Sequence, residues 1–170
     1  MKLKTRELAV FSMLGAIMYV SKMVMEWIPN VHLLGALTMA YTLVYRRKAL
    51  YPIYVYVFLN GALGGFNAWW VPYLYMWTIL WGVTMLLPKR MPRKIAPVVY
   101  MTVCALHGFG FGILYAPAQA LLFGLSFEAT LVWIASGFPF DMIHGISNFF
   151  CGMLIVPIAS VLRYLERSTG

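Results

Sequence analysis

The stretch LLPKRMPRK, residues 86–94, holds four cations, two prolines and no acidic residue. It is the one clearly hydrophilic loop in the chain. Long apolar runs flank it, WTILWGVTM before and IAPVVYMTVCAL after. Pro88 and Pro92 punctuate the break, because proline lacks the N–H that a continuing helix needs. A short basic loop between apolar runs marks a chain that leaves a membrane and re-enters it. The composition agrees. The chain is 62% hydrophobic and 11% charged, whereas a soluble domain carries about a quarter charged residues. So little polar surface cannot cover a water-soluble globule. The sequence predicts an integral membrane protein, one domain over residues 1–170 with no appended soluble catalytic module.

Outward from that loop, apolar segments alternate with short breaks. The predicted spans are Leu8–Ile28, Val31–Tyr45, Ala49–Leu63, Trp69–Leu87, Ile95–Phe123 and Phe140–Leu165. The second and third are short, since crossing a core of about 30 Å takes about 20 helical residues. They must start deep, thin the bilayer or end in buried irregular backbone. The fifth is long and reads as broken at HGFGFG and at Pro117. The piece from Phe127 to Ser136 reads as a separate interfacial or re-entrant element on the outer side. Twelve of the thirteen Lys and Arg fall in every second break: Lys2, Lys4 and Arg6; Arg46, Arg47 and Lys48; Lys89, Arg90, Arg93 and Lys94; Arg163 and Arg167. The excess of basic residues in cytoplasmic loops then gives six spans, with both termini inside. The net charge of +8 sets topology and does not point to a nucleic-acid partner.

Cys104 and Cys151 sit inside apolar runs and read as buried thiols. No CxxC or Cys/His cluster suggests a metal site. The basic start and apolar run of residues 1–20 read as a retained first span, because the run is long and no small-x-small cleavage site is convincing. No internal repeat or low-complexity segment is evident.

The remaining polar residues collect on the outer half of the spans. Lys22 and Glu26 end span one at i and i+4, as an ion pair, interfacial snorkellers or ligand contacts. Asn30 and His32 follow in the first outer break. Asn60 and Asn67 lie at the outer end of span three, and Tyr115 and Gln119 beyond the break in span five. Within GFPFDMIHGISNFF, residues 137–150, Asp141, His144 and Asn148 fall within about 60° of helical arc. Ionisable groups in a span face the bundle interior or a cavity. Asp141 either caps its own helix, directly after Pro139, or meets a ligand. His144 and Asn148 either bond neighbouring helices or do the same. A metal site is not expected from Asp141 and His144, since no further ligand set accompanies them. Trp70, Tyr73, Trp77 and Trp81 form an aromatic stripe. Trp77 and Trp81 lie too deep for an interfacial belt, so they pack the core. The sharper alternative is a platform on Trp70, Tyr73 and Trp77 for stacking a flat ligand. Small residues at helix-packing spacing, such as Ser12 and Ala16 or Gly108 and Gly112, let helices approach closely.

Six short spans with both termini inside and a polar outer half resemble the S components of energy-coupling factor (ECF) transporters. The resemblance covers nearly the whole chain. It is carried by the first span, AVFSMLGAIMYVS, by YAPAQALLFGLSFEATLVWIASGFPFD, and by DMIHGISNFFCGMLIVP. It implies an all-α membrane subunit of the bacterial plasma membrane that binds a vitamin-like small molecule in an outward-facing cavity. It also implies partnership with a membrane-embedded coupling subunit and two cytoplasmic ATPases. Family members dock through an Ala-x-x-x-Ala type motif on the first helix. Ser12-x-x-x-Ala16 is the nearest match here, with Ala9 and Gly15 beside it. The chain carries no Walker-type GxxxxGK[ST] sequence, so ATP is expected to be hydrolysed by partner subunits. No cofactor is implied.

Two rival readings stand beside transport. One is a small intramembrane enzyme with Asp141 and His144 as an acid/base pair, although HExxH, GxSxG and paired carboxylates are all lacking. The other is a structural subunit of another membrane complex. For transport, the aromatic stripe favours a large or flat ligand, and the scarcity of outer cations disfavours a polyanion. Cobalamin heads the candidates, ahead of pterin, flavin or deazapurine types.

Overall fold

The computed structural model describes residues 3–168, and those residues form helices and loops only. Lys2, one of the topology-setting cations, lies outside them. Eight α-helices follow in order: α1 Thr5–Met25, α2 Leu34–Tyr45, α3 Leu50–Gly64, α4 Tyr73–Leu86, α5 Ala96–Phe109, α6 Phe111–Phe123, α7 Phe127–Cys151 and α8 Ile155–Ser168. Three helical segments are long and apolar enough to cross a membrane: Thr5–Met25, Ala96–Phe123 and Phe127–Ser168.

α2 is the centre of the bundle. Every residue from Leu34 to Thr42 is buried, so its 12 residues meet protein on all sides. That placement lets a helix of about 18 Å persist in an apolar chain, since its backbone bonds are internal and its walls are side chains. α4, α5 and α8 pack around it, and α1 lies against α3. The turn between α2 and α3 is a 3₁₀ segment, Arg46–Ala49, entered through Arg46 at a positive φ of 53°. It is pinned from α4: Trp81 Nε1 donates to the Arg46 carbonyl at 3.0 Å, and the Arg46 guanidinium donates to the Met85 carbonyl at 3.0 Å.

Two segment boundaries differ from expectation. The fifth apolar run breaks at Gly110, as its glycines suggested, but not at Pro117, which lies inside α6. The sixth run does not begin at Phe140. Ser126 caps α7, its hydroxyl accepting from the Ala129 N–H at 3.2 Å, and the helix continues through Pro139 to Cys151. The supposed separate piece at Phe127–Ser136 is therefore the first part of α7. A proline within a helix removes one N–H donor and crowds the preceding turn, but it need not end the helix where tertiary packing holds both halves. A 3₁₀ turn at Gly152–Leu154 then leads into α8. The Phe127–Ser168 segment has 42 residues. At 1.5 Å per residue that is about 63 Å, roughly twice a bilayer core. Its start is correspondingly open, with Phe127 and Val132 largely exposed.

The basic residues gather at one end. Glu7 pairs with Lys48, and one recess is shared by Lys4, Arg6, Glu7, Lys48 and Glu166. A second recess brings Lys89, Arg90 and Arg93 to Arg163 and Leu43. The N-terminus, the α2–α3 turn, the 86–94 loop and α8 thus meet at the same pole.

Candidate functional site

Away from that pole, Trp77 of α4 organises a cluster of rings. It is 1% exposed. Its indole lies edge-on to Tyr56 of α3 at 6.0 Å, Tyr73 at 6.1 Å and His32 at 6.1 Å, and tilted against His107 of α5 at 5.6 Å. His32 in turn meets His144 of α7 edge-on at 4.7 Å, and Phe111 of α6 closes on His144 at 4.6 Å. Two histidines therefore meet one tryptophan, and a third, His144, joins them through His32.

Local structure explains how they arrive. The loop between α1 and α2 turns at Asn30, which has a φ of 61°. The Ser147 hydroxyl donates to the Asn30 carbonyl at 2.8 Å, and this ties the loop and its His32 to α7. α5 and α7 pack closely because Gly108 leaves room. A Cβ there would lie 2.8 Å from the His144 carbonyl oxygen and 2.9 Å from the Gly145 Cα. The resulting approach carries His107 and His144 to the same interior.

The cluster is polar in composition but incompletely bonded. His32 Nδ1, His107 Nδ1, His144 Nε2, Trp77 Nε1, the Tyr56 hydroxyl, Asn60 Nδ2 and Asn148 Oδ1 are buried without a hydrogen-bond partner. Buried polar atoms are ordinarily satisfied, and each orphan costs about 1–3 kcal/mol. His107 Nε2 does lie 3.2 Å from the Met76 carbonyl, and the Asn148 amide donates to the Cys104 carbonyl at 3.3 Å. Desolvation pushes the His32 imidazole down to about 4, with the neighbouring His107 and the Lys22 charge acting in the same direction. His32 is therefore neutral at pH 7, able both to donate and to accept. Among the described residues no group of three His, Cys, Asp or Glu is arranged to hold a metal ion.

The comparisons with protein-family models, with curated proteins and with solved structures found no match.

The residues singled out in the sequence divide into three sets. His32, Tyr73, Trp77 and His144 meet in the ring cluster. Asn148, fully buried, joins α5 to α7 through Cys104 and keeps one unpaired oxygen facing inward. Asp141 corrects an expectation. It lies in the middle of α7, so it cannot cap its own helix. Its carboxylate instead accepts from the Gly112 N–H at 3.0 Å, one of the unsatisfied donors in the first turn of α6. Asp141 caps a neighbouring helix. It makes no hydrogen bond to His144 among the described residues.

The third set borders the cluster or lies apart from it. Trp70 Nε1 donates to the Val57 carbonyl at 2.8 Å, which anchors it to α3. Tyr115 donates to the Trp69 carbonyl at 3.0 Å and stacks on Trp133 at 5.7 Å. Gln119 lies half-buried one turn further along α6, Asn67 is exposed in its loop, and Lys22 and Glu26 form no ion pair with each other among the described residues. On α1, Ala9 and Ser12 face outward and Ala16 is half-buried, whereas Gly15 is buried against α3. A Cβ at Gly15 would meet Val55 at 2.5 Å and the Pro52 carbonyl at 2.9 Å. Its smallness serves packing within the bundle.

Sequence reasoning missed His107, Tyr56 and Phe111. His107 is the one imidazole in the fifth apolar run, immediately before the glycines that mark its break. Asn60 stood out as an amide in a span, but nothing in its spacing linked it to Trp77. Tyr56 and Phe111 carried no local signal.

Proposed function

We propose that this chain is the substrate-binding membrane subunit of an uptake transporter of the ECF S-component kind. In this reading it crosses the membrane six times, with both termini inside. α2, α3 and α4 are its shorter crossings, and the α5–α6 and α7–α8 segments its longer ones. Gathering of the cations at one pole supports that topology. The ligand enters from the opposite pole, and a coupling subunit and two ATPases supply the energy. The chain does no chemistry of its own.

One observation carries the reading: unpaired donors and acceptors on His32, His107, His144, Trp77 and Asn148 converge around rings from four elements. A binding site retains such groups because the ligand completes their hydrogen bonds, whereas a purely structural core would satisfy or replace them. The groups are imidazoles, an indole and an amide with no Lys or Arg among them, so they suit a flat heterocyclic vitamin better than a polyanion. The outward part of α1, with Ala9, Ser12 and Ala16, is the docking face for the coupling subunit. Beside it runs an apolar groove of about 500 Å³ between Ala16, Val20 and Leu33.

Mass spectrometry of small molecules co-purified with the full chain tests this directly. Titration with cobalamin, pterins, flavins and deazapurines, read by tryptophan quenching, is the second arm. A folded protein that retains nothing and responds to none of the panel would refute the proposal.

A further inference from the structure

The basic pole holds a cavity of about 570 Å³, remote from the histidine cluster and lined at the α4–α5 loop by Lys89, Arg90 and Arg93 and on α8 by Arg163. Among the described residues no carboxylate lines it. The ion pair of Lys48 with Glu7 lies elsewhere. Four cations therefore face one space with no carboxylate of the described residues in its lining. The rest of the lining is mostly apolar, including Leu43 of α2, Tyr100 of α5 and Val156 of α8, with Ser160 as a further polar group. A ligand that satisfies both halves carries anionic oxygens on an apolar body. Inorganic phosphate would leave the apolar walls unused, and the lining offers no open aromatic face on which a nucleobase could stack. Basic pockets between membrane helices favour anionic headgroups, at about 1 kcal/mol per cation near the surface.

We propose that this cavity seats the phosphodiester headgroup of an anionic glycerophospholipid. The inference stands apart from the transport reading, because it uses none of the residues of the histidine cluster.

The test uses the full chain in neutral detergent with three probes: dioctanoyl phosphatidylglycerol, dioctanoyl phosphatidylcholine and inorganic phosphate. Native mass spectrometry counts the lipid retained, and thermal unfolding reads stabilisation. Phosphatidylglycerol is expected to bind and raise Tm, while phosphatidylcholine and inorganic phosphate are not. The double variant Arg93→Gln with Arg163→Gln should weaken phosphatidylglycerol about thirty-fold, at about 1 kcal/mol per cation removed. Arg47→Gln, an exposed cation of the α2–α3 turn outside this cavity, should leave binding unchanged. If the double variant does not fold, Lys89→Gln with Arg90→Gln on the exposed loop carries the same test. Equal weakening by Arg47→Gln would show diffuse attraction and overturn the site. Equal stabilisation by inorganic phosphate would make free phosphate the ligand and overturn the lipid. Binding of none of the three probes would overturn it as well, and would leave an acidic segment of a partner protein as the occupant to pursue.

Discussion

Asp141 offers the sharpest perturbation, because two roles for it give opposite results. Its carboxylate is 6% exposed and accepts the Gly112 N–H at 3.0 Å. Asp141→Ala removes a charge-assisted bond and leaves a buried amide unsatisfied, at a cost of about 2–3 kcal/mol. For a chain of this size that lowers Tm by about 4–12 °C. Asp141→Asn keeps an acceptor and loses only the attraction between the charge and the α6 N-terminus, about 0.5–1 kcal/mol. The pair also has a built-in cycle. A Cβ at Gly112 would lie 2.5 Å from the Asp141 Oδ2, so Gly112→Ala should displace the carboxylate and destabilise the wild type. In the Asp141→Ala background the same change should be nearly neutral, since the atom it displaces is gone. The assay is thermal unfolding of the four proteins in one detergent, alongside ligand retention. Gly112→Ala equally damaging in both backgrounds would refute the cap. So would an Asp141→Ala protein as stable as the wild type. An Asp141→Asn protein of normal Tm that has lost its ligand would assign the carboxylate to binding instead.

Other expectations follow from the same geometry. His144→Ala should weaken ligand at least about ten-fold, the equivalent of one lost hydrogen bond of about 1.4 kcal/mol, while Tm falls by only a few degrees. Ligand-dependent tryptophan quenching read against unfolding separates the two effects. On the docking face proposed for α1, Ser12→Leu and Ala16→Leu should leave ligand binding intact and abolish co-purification with the proposed coupling subunit. Gly15→Leu should instead unfold the protein, because Val55 and the Pro52 carbonyl already occupy that space. Burial holds His32 neutral down to about pH 4, whereas the unfolded side chain takes up its proton near 6.5. Between those values the unfolded state binds more protons, so stability should fall as pH drops from about 6.5 to about 4 and level off below. The slope from this group is at most about 1.4 kcal/mol per pH unit. Urea unfolding of His32→Gln against wild type across that window isolates the contribution, and parallel slopes would count against it.

What could be read from the sequence was whatever is written into near neighbours. A cation in an apolar chain declares its surroundings on its own, so Arg46, Lys89 and Arg163 could be assigned to common ground without knowing the fold. Spacings of three and four likewise put Asp141, His144 and Asn148 on one face, and all three are buried. What could not be read depends on partners far along the chain. Gly112, the group that Asp141 holds, is 29 positions away. His107 reaches Trp77 across 30 positions, and only the packing of α5 beside α4 makes them neighbours. Pro139 misled for a related reason. Its ring removes one helical donor, and local logic treats that as a stop, but the continuity of α7 is set by the helices beside it. The error has a chemical consequence. Had the helix begun at Phe140, Asp141 would have been consumed in capping it. Because α7 runs on from Ser126, the carboxylate is free to hold the start of α6. That bond fixes Phe111 one residue before Gly112, and so places its ring against His144 in the cluster. The arrangement of the ring cluster therefore rests on a helix boundary that local pattern could not locate.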